Sequence, residues 1–326
     1  MRNILVLFAV LIFIGCKEET PEVKKPKTAL QLLNESIEKD PNNKDLFIDR
    51  AKNYLSHKDY QSAEADANKA LALDSTATEA YLLLANLYFE QNKTANTNAY
   101  LNQLLKVDSM HIDGNLKKAE LELYVGNYQE TIRLVNRVLR QEITNEKGYY
   151  MKAMAFKLAG DTTLAISNFQ TTVEQDPDHY NAFVQLGLLF MAKKDPLCLN
   201  YFDNALAIKP NSPEVLYAVG MYFQESGDTE KAKEVYNQLL SVNAGHTDSY
   251  YNLGYIALNY DKDYPTARSH FQEGLKFLPE DSRFKYMEGL TYELEGETEK
   301  ANAIYNSILL KNAGFGLAKD GYNRTK

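Results

Sequence analysis

The sequence predicts an all-α fold, an α-solenoid in which helix–turn–helix units stack in a row behind an N-terminal export signal. Positions equivalent to Pro41 recur along the chain at spacings of 34, 34, 34, 34, 33, 34, 35 and 34 residues. One position of every unit is Ala or Gly, and a second is always small. Repeats of this length are typical of helix pairs that bury their apolar faces against their neighbours.

The composition favours a folded protein and excludes several function classes. Of the 326 residues, 44% are apolar and 25% are charged, which is ordinary for a globular chain. The formal net charge is −8, so the chain lacks the basic surface that nucleic acid binding requires. Its two cysteines cannot form a disulfide framework or a four-thiolate zinc site.

Residues 1–15 are predicted to be a signal peptide. An apolar run over residues 4–14 follows Arg2 and stops at Gly15. A membrane span needs about 20 apolar residues and a signal core about 7 to 15, so this run fits a signal. Gly15 followed by Cys16 resembles the bacterial lipoprotein signal, which implies that Cys16 carries lipid and becomes the mature N-terminus. The alternative is an ordinary signal peptide with an incidental cysteine.

Residues 16–27 are predicted to be the lipidated cysteine and a flexible tether. The stretch from Lys17 to Lys27 contains two prolines, and Val23 is its only aliphatic residue. Such a segment cannot bury a core, and when extended it reaches about 3.1 Å per residue. The tether would therefore keep the folded part within a few nanometres of a membrane.

Two columns of small residues place the helices between residues 28 and 313. The first-helix column reads Ala51, Ala85, Ala119, Ala153, Gly187, Gly220, Gly254 and Gly289. The second-helix column reads Ala29, Ala63, Thr97, Thr131, Ala165, Cys198, Ala232, Ala267 and Ala301. Pairs such as Gly160-Asp161 between the columns indicate turns, because Gly adopts the left-handed conformation and Asp caps the next helix. We predict one orphan helix over 28–40, about eight repeats, and a polar cap or tail over 314–326.

One unit carries a fuller motif of large, small, aromatic and turn residues in a fixed order. Its residues are Tyr149, Ala153, Phe156, Gly160, Asp161, Ala165, Phe169 and Pro177. This order is similar to that of the tetratricopeptide repeat family, which implies stacked helix pairs and a protein-binding role. Asn115 and Lys285 stand where the pattern has a bulky apolar residue, which predicts looser packing in those two repeats.

No pattern in the sequence predicts catalysis, a metal site or a cofactor. It contains no phosphate loop, no nucleophile elbow and no histidine pair at helical spacing. Cys198 falls in the second-helix column, where a buried and inert thiol is expected. We therefore predict a protein that is not an enzyme and binds neither metal nor cofactor.

A protein-binding surface is predicted on the first helices, which line the inner wall of such solenoids. Two neighbouring columns there become rich in Tyr, Met and Leu in the C-terminal half. The candidate contact residues are Tyr150, Met154, Leu188, Tyr217, Met221, Tyr251, Tyr255 and Tyr286. Tyr and Met give large, adaptable contact area for an amphipathic helix or extended peptide. The alternative is that these side chains pack against adjacent repeats or the C-terminal tail.

Together these features predict a membrane-anchored adaptor that gathers proteins or peptides in the bacterial cell envelope. Its lipid would lie in the outer membrane, with the protein on the periplasmic face or the cell surface. The resemblance implies a part in secretion, outer-membrane assembly or cell-wall enzyme complexes. Two alternatives are a self-associating structural spacer, which would form homo-oligomers, and an enzyme or carbohydrate-binding component of the envelope.

Overall fold

The computed structural model describes residues 27–326, which divide into two compact units on either side of the Asp108–Ser109 bond. The first unit contains α1 (Ala29–Lys39), α2 (Lys44–Ser56), α3 (Tyr60–Leu73), α4 (Thr78–Glu90) and α5 (Thr94–Val107). The second contains α6 (Ile112–Tyr124), α7 (Tyr128–Leu139), α8 (Glu146–Leu158), α9 (Thr162–Gln175), α10 (Tyr180–Ala192), α11 (Leu197–Ile208), α12 (Pro213–Ser226), α13 (Thr229–Val242), α14 (Thr247–Ile256), a π-turn (Ala257–Asp261), α15 (Tyr264–Phe277), α16 (Ser282–Leu294), α17 (Thr298–Lys311) and α18 (Gly316–Arg324).

The helices form eight consecutive pairs, with α1 before the first pair and α18 after the last. We number the pairs as repeats 1 (α2–α3) to 8 (α16–α17), so that repeats 1 and 2 lie in the first unit and repeats 3 to 8 in the second. Residues 27–326 contain no strand. The predicted all-α repeat architecture, including the orphan helix, is confirmed.

Aromatic rings of the second helices fill the space beside the glycines of the first helices in repeats 5 to 8. Gly187 faces Phe202, and a Cβ atom on this glycine would lie 2.4 Å from the ring. Gly220 faces Tyr236, at 2.5 Å for the same imagined atom. Both rings are fully buried. The small first-helix column therefore exists because a large residue from the second helix occupies the space that a side chain would need.

The turn inside each repeat contains a residue in the left-handed conformation. Gly126, Gly160, Gly227 and Gly296 have φ between 81° and 89°, as the sequence predicts. An aspartate commonly follows and caps the second helix: Asp161 Oδ1 accepts a hydrogen bond from Leu164 N at 3.0 Å. Lys194 and Lys262 take the left-handed position in repeats 5 and 7.

Repeats 5 and 7 absorb their irregular lengths at different places. In repeat 7 the extra residue lies inside the first helix, where α14 continues into the π-turn and Asp263 N donates to the carbonyl of Ala257 at 3.0 Å. In repeat 5 the missing residue falls between the left-handed Lys194 and the small Cys198, after Pro196. A π-turn is the usual way in which a helix accommodates one inserted residue.

Asn115 and Lys285 do not loosen their repeats in the predicted way, and for Asn115 the prediction is wrong. Asn115 is fully buried, and its Nδ2 donates to two turn carbonyls before α6 at 2.8 and 3.1 Å, while Arg137 Nη1 donates to its Oδ1 at 3.1 Å. Lys285 pairs with Glu280 at 2.9 Å, and the neighbouring Phe284 is fully buried. At Asn115, hydrogen bonds replace the apolar contacts that the repeat pattern has at this position.

The residues over 314–326 contain α18, which covers the end of repeat 8. Gly321 lies against the ring of Tyr305, and a Cβ atom on this glycine would be 2.5 Å from the ring. The guanidinium of Arg324 donates to the Glu293 carboxylate at 2.6 and 3.0 Å. The last repeat is thus closed by a helix that repeats the small-against-aromatic contact.

Candidate protein-binding face

The predicted contact residues all lie in the second unit, on the first helices of repeats 4 to 8. They belong to two registers that are four residues apart, so both lie on the same side of each helix. The first register is Tyr150, Val184, Tyr217, Tyr251 and Tyr286. The second register is Met154, Leu188, Met221, Tyr255 and Leu290. We call the two registers together the first-helix face.

The first-register tyrosines join one repeat to the next. The ring of Tyr150 lies 5.6 Å from that of Phe169 in its own repeat, and it stacks at 4.7 Å on His179, which begins repeat 5. In repeat 6, the ring of Tyr217 lies 6.2 Å from that of Tyr236 in its own repeat and 5.0 Å from that of His246, which begins repeat 7. Burial raises the pKa of both phenols. These rings are engaged mainly by the fold itself.

Tyr251 and Tyr286 occupy equivalent junctions. Tyr251 lies 6.0 Å from the ring of Phe271 in its own repeat and meets Phe284 of repeat 8 edge-on at 5.5 Å. Tyr286 contacts the second helix of repeat 8 and the segment before α18, at 5.7 and 6.1 Å between ring centres. Aromatic pairs at these distances contribute about 0.5–1.5 kcal/mol beyond their buried area. The first register therefore stabilises the stacking of repeats.

The second register is where the face opens to solvent. Leu188 is 38% exposed and Tyr255 is 37% exposed. Met154, Met221 and Leu290 are half-buried. Met221 Sδ lies 3.4 Å from Nδ2 of Asn252 in the next repeat, and the same amide donates to Tyr236 Oη at 3.0 Å. The second register thus presents apolar and thioether groups on a base that hydrogen bonds hold in place.

The π-turn adds an aromatic ring that the sequence columns do not contain. Tyr260 is exposed and meets Tyr255 edge-on, with 6.5 Å between ring centres. Asn259 Nδ2 donates to the Tyr255 carbonyl at 3.0 Å, and Asp261 pairs with Lys233 of repeat 6 at 3.1 Å. Strict column reading misses Tyr260, since the inserted residue moves it out of register. The 35-residue spacing was the available signal.

A cavity of about 320 Å³ lies between the C-terminal ends of α10 and α12, beside the first-helix face. Its lining residues are Met191, Lys194, Tyr222, Glu225 and Ser226. None of the five is in the two columns, and the sequence did not predict them. The one sign of irregular structure at this place in the sequence was the 33-residue length of repeat 5.

The charged groups around the face are mostly local pairs. Arg283 pairs with Asp281 at 2.8 Å, and Lys157 donates to Gln185. Within residues 27–326 there is no group of three or more His, Cys, Asp or Glu side chains that could hold a metal ion. What the face offers chemically is apolar and aromatic contact area.

Cys16, the predicted lipidation site, lies outside the described residues, as do the signal peptide over 1–15 and all but the last residue of the tether. Among the described residues, no helix has the length and apolar character needed to cross a bilayer. Cys198 is fully buried, and burial raises the pKa of its thiol. A thiol in this state is a space-filling group of the core.

Models of the tetratricopeptide repeat match three stretches of the chain. One model matches residues 48–108 and 217–281, and a second matches 148–179. The matched stretches cover most of repeats 1 and 2 of the first unit and most of repeats 4, 6 and 7 of the second.

Curated relatives share part of this repeat region. The chain is 27% identical over 175 residues to the DnaJ protein P58IPK homolog B of Oryza sativa, covering 49% of this chain and 37% of that protein. It is 22% identical over 269 residues to the human protein O-mannosyl-transferase TMTC3, covering 80% of this chain and 29% of that protein. The chain thus spans about a third of the length of these relatives.

Two solved structures have a similar fold. PilF of Pseudomonas aeruginosa superposes with a TM-score of 0.57 at 13% identity, covering 63% of this chain and 94% of that one. PilW, a type IV pilus biogenesis factor, gives 0.58 at 18% identity, covering 63% and 96%. Identities this low show a shared repeat fold and nothing more specific.

Proposed function

Because this chain is a tetratricopeptide repeat protein, and such repeats are scaffolds for binding proteins or peptides, we propose that it is a non-catalytic adaptor. It binds a partner protein through the first-helix face of repeats 4 to 8. The observation that carries this proposal is the open second register, where Leu188 and Tyr255 are exposed beside half-buried Met154 and Met221. Exposed apolar side chains such as these can be buried by a partner, and tyrosine is among the residue types enriched at binding hot spots.

The proposed partner segment is an amphipathic helix or an extended peptide. Each first helix of repeats 4 to 8 carries one residue of the second register, so the register presents a row of separate apolar contacts. Methionine adapts its shape to different side chains, and tyrosine contributes area at little entropic cost.

We further propose that the adaptor is held at the bacterial outer membrane by lipid on Cys16, on its periplasmic face or at the cell surface. The support is the sequence around Gly15-Cys16, where an apolar core of signal-peptide length ends at a cysteine. Lipid chains contribute about 0.8 kcal/mol per buried methylene, so two or more give stable anchoring. Metabolic labelling with an acyl probe tests this: the wild-type chain should be labelled and a Cys16→Ser variant should not. Label retained in that variant would refute the anchor.

Photo-crosslinking in the native host tests the binding face. A photoreactive amino acid is placed at Leu188 or Tyr255 of the full chain, and as a control at Leu310, which is 80% exposed on α17. We expect discrete adducts with the same protein from the first two positions and none from the control. Adducts of equal yield at all three positions would contradict a specific face.

A matched pair of variants gives the magnitude. Leu188→Ser with Tyr255→Ser should reduce recovery of the crosslinked partner about tenfold or more, because two hot-spot anchors are lost. Leu310→Ser removes a comparable exposed side chain elsewhere and should leave recovery unchanged. If the double variant instead abolishes self-association of the purified chain in sedimentation, the self-associating spacer replaces the adaptor.

A further inference from the structure

The cavity between α10 and α12 is lined in part by residues on the same side of these helices as the first-helix face. Met191 follows the exposed Leu188 by three residues, and Glu225 follows Met221 by four, so both pairs share one side of their helices. Its volume of about 320 Å³ lies at the lower end of ligand-pocket sizes, about 300 to 1,000 Å³. A space of this size fits a single large side chain and excludes a whole helix.

Tyr222 is the largest of the eight residues that occupy its position in the repeats. It stands two residues after the small first-helix residue Gly220. The residues at the same position are buried in repeats 2, 3, 4, 7 and 8, and half-buried in repeats 1 and 5, where they are Asn53 and Leu189. Tyr222 is half-buried, and its ring meets that of Phe223 edge-on with 5.7 Å between ring centres. A large ring at a position that is buried in five of the eight repeats thus lines the cavity.

The lining defines the chemistry of an occupant. Met191 and Tyr222 provide a thioether and an aromatic face, which together favour another aromatic ring. Lys194 and Glu225 also line the cavity and bring one cationic and one anionic group to it. A charged tip would be attracted by one of these two groups and repelled by the other, whereas a neutral polar tip meets no like charge and can hydrogen-bond to either.

We propose that this cavity receives one aromatic side chain with a neutral hydrogen-bonding tip, a tyrosine or a tryptophan, supplied by the partner on the first-helix face. The ring lies between Met191 and Tyr222, and its O–H or N–H donates to the Glu225 carboxylate. This inference rests on the proposed function, and it adds the chemical identity of the partner's main anchor.

Binding of blocked amino acids to the full chain tests the cavity without knowledge of the partner. The probes are N-acetyl-tryptophanamide and N-acetyl-tyrosinamide, with the leucine and arginine amides for comparison, and the reporter is the ¹³C-labelled methyl resonance of Met191. We expect the two aromatic amides to shift this resonance with dissociation constants about tenfold below those of the other two. Equal or tighter binding of the arginine amide, or no shift with either aromatic amide, would overturn the proposal.

A variant that fills the cavity provides the control. Ser226 is exposed at its rim, so Ser226→Trp should block the aromatic probes and leave the fold intact. Ala159 occupies the same position in repeat 4 and is also exposed, so Ala159→Trp should leave probe binding unchanged. Probe binding that survives Ser226→Trp would place the probes elsewhere and refute the assignment.

Crosslinking from Leu188 separates this inference from the proposed function. Partner adducts in the wild type, with no aromatic probe bound at Met191, would leave the adaptor role standing and overturn the cavity assignment. Absence of adducts in the wild type, with probes bound, would remove the adaptor role while the cavity assignment holds as a side-chain site. Adducts lost in Ser226→Trp and kept in Ala159→Trp would support both.

Discussion

Replacing Gly187 by alanine perturbs the contact on which the stacking of helices inside repeat 5 depends. The new Cβ atom would lie 2.4 Å from one carbon of the Phe202 ring and 2.5 Å from another. Both distances are about 1 Å shorter than 3.4 Å, the lower limit of ordinary van der Waals contact. The ring is fully buried, so it cannot move into solvent.

The expected magnitude combines two opposing effects. Alanine in the middle of a helix is about 1 kcal/mol more favourable than glycine. Overpacking a closed core costs about 1–3 kcal/mol, and a clash this deep belongs at the upper end. Gly187→Ala should therefore lower the free energy of unfolding of repeat 5 by about 1–2 kcal/mol, where an exposed helix site would gain stability.

A second substitution should rescue the first. Repeat 2 has Ala85 on its first helix and a fully buried Leu101 at the position of Phe202. Phe202→Leu alone should destabilise by about 1–2 kcal/mol through the cavity it leaves. Combined with Gly187→Ala it recreates the pairing of repeat 2, so the two changes should couple favourably by about 1–3 kcal/mol.

Native-state hydrogen exchange of the α10 and α11 amides is the appropriate assay, because repeats unfold in units and a single global transition is not assured. Gly245→Ala is the control: its added Cβ would lie no closer than 3.6 Å to any neighbour, so stability should not fall. Additive effects of the two substitutions in repeat 5, or a Gly187→Ala variant as stable as the wild type, would refute the interlocking account.

Three further predictions concern stability. Burial lowers the pKa of His270, so the stability that the neutral imidazole contributes is present above about pH 6.5 and is lost as the pH falls below that value. In a His270→Phe variant, the urea midpoint of unfolding should therefore vary less between pH 5 and 8. Hydrogen bonds from Lys311 and Lys285 lower the pKa of Glu280 to about 2, so an NMR titration should find its carboxyl ionised at pH 4, and the stability it adds should be lost between pH 4.5 and 2. Asn115→Leu should lower the unfolding free energy by about 1–3 kcal/mol, because turn carbonyls and a guanidinium lose their partner; unchanged urea midpoints would contradict this.

Helix positions were predictable because the period is a packing requirement. Where two helices cross closely, the residue on one of them must be small. Small residues such as Ala153 and Gly220 therefore recur at the period of the repeat, whatever the rest of the sequence. The role of Asn115 was not predictable in the same way. Its amide is buried because it bonds to carbonyls of the preceding turn, and those partners are set by the loop conformation that the repeat pattern does not encode.

The candidate site was predictable as a set of positions, and only in part as an exposed surface. Helical spacing places Tyr217 and Met221 on one side of α12, as found. It does not reveal that the ring of His246 in the next repeat packs on the ring of Tyr217, or that the Asn252 amide lies against the Met221 sulfur. Exposure depends on the neighbouring repeat, so a column read along one chain cannot distinguish a stacking residue from a contact residue.

The irregular repeats explain where the face is open. Strictly repeated units cover each other's first helices alike, so a residue at a given position tends to be equally buried in every repeat. Of the five second-register residues, the two exposed ones are Leu188 of the 33-residue repeat 5 and Tyr255 of the 35-residue repeat 7. Tyr222 lies beside the short turn of repeat 5, and Tyr260 lies in the π-turn itself. These side chains with open surface thus lie in or beside the two repeats whose length departs from 34 residues. In this chain, the two departures from the period therefore mark the part of the first-helix face where a partner finds the most accessible apolar side chains.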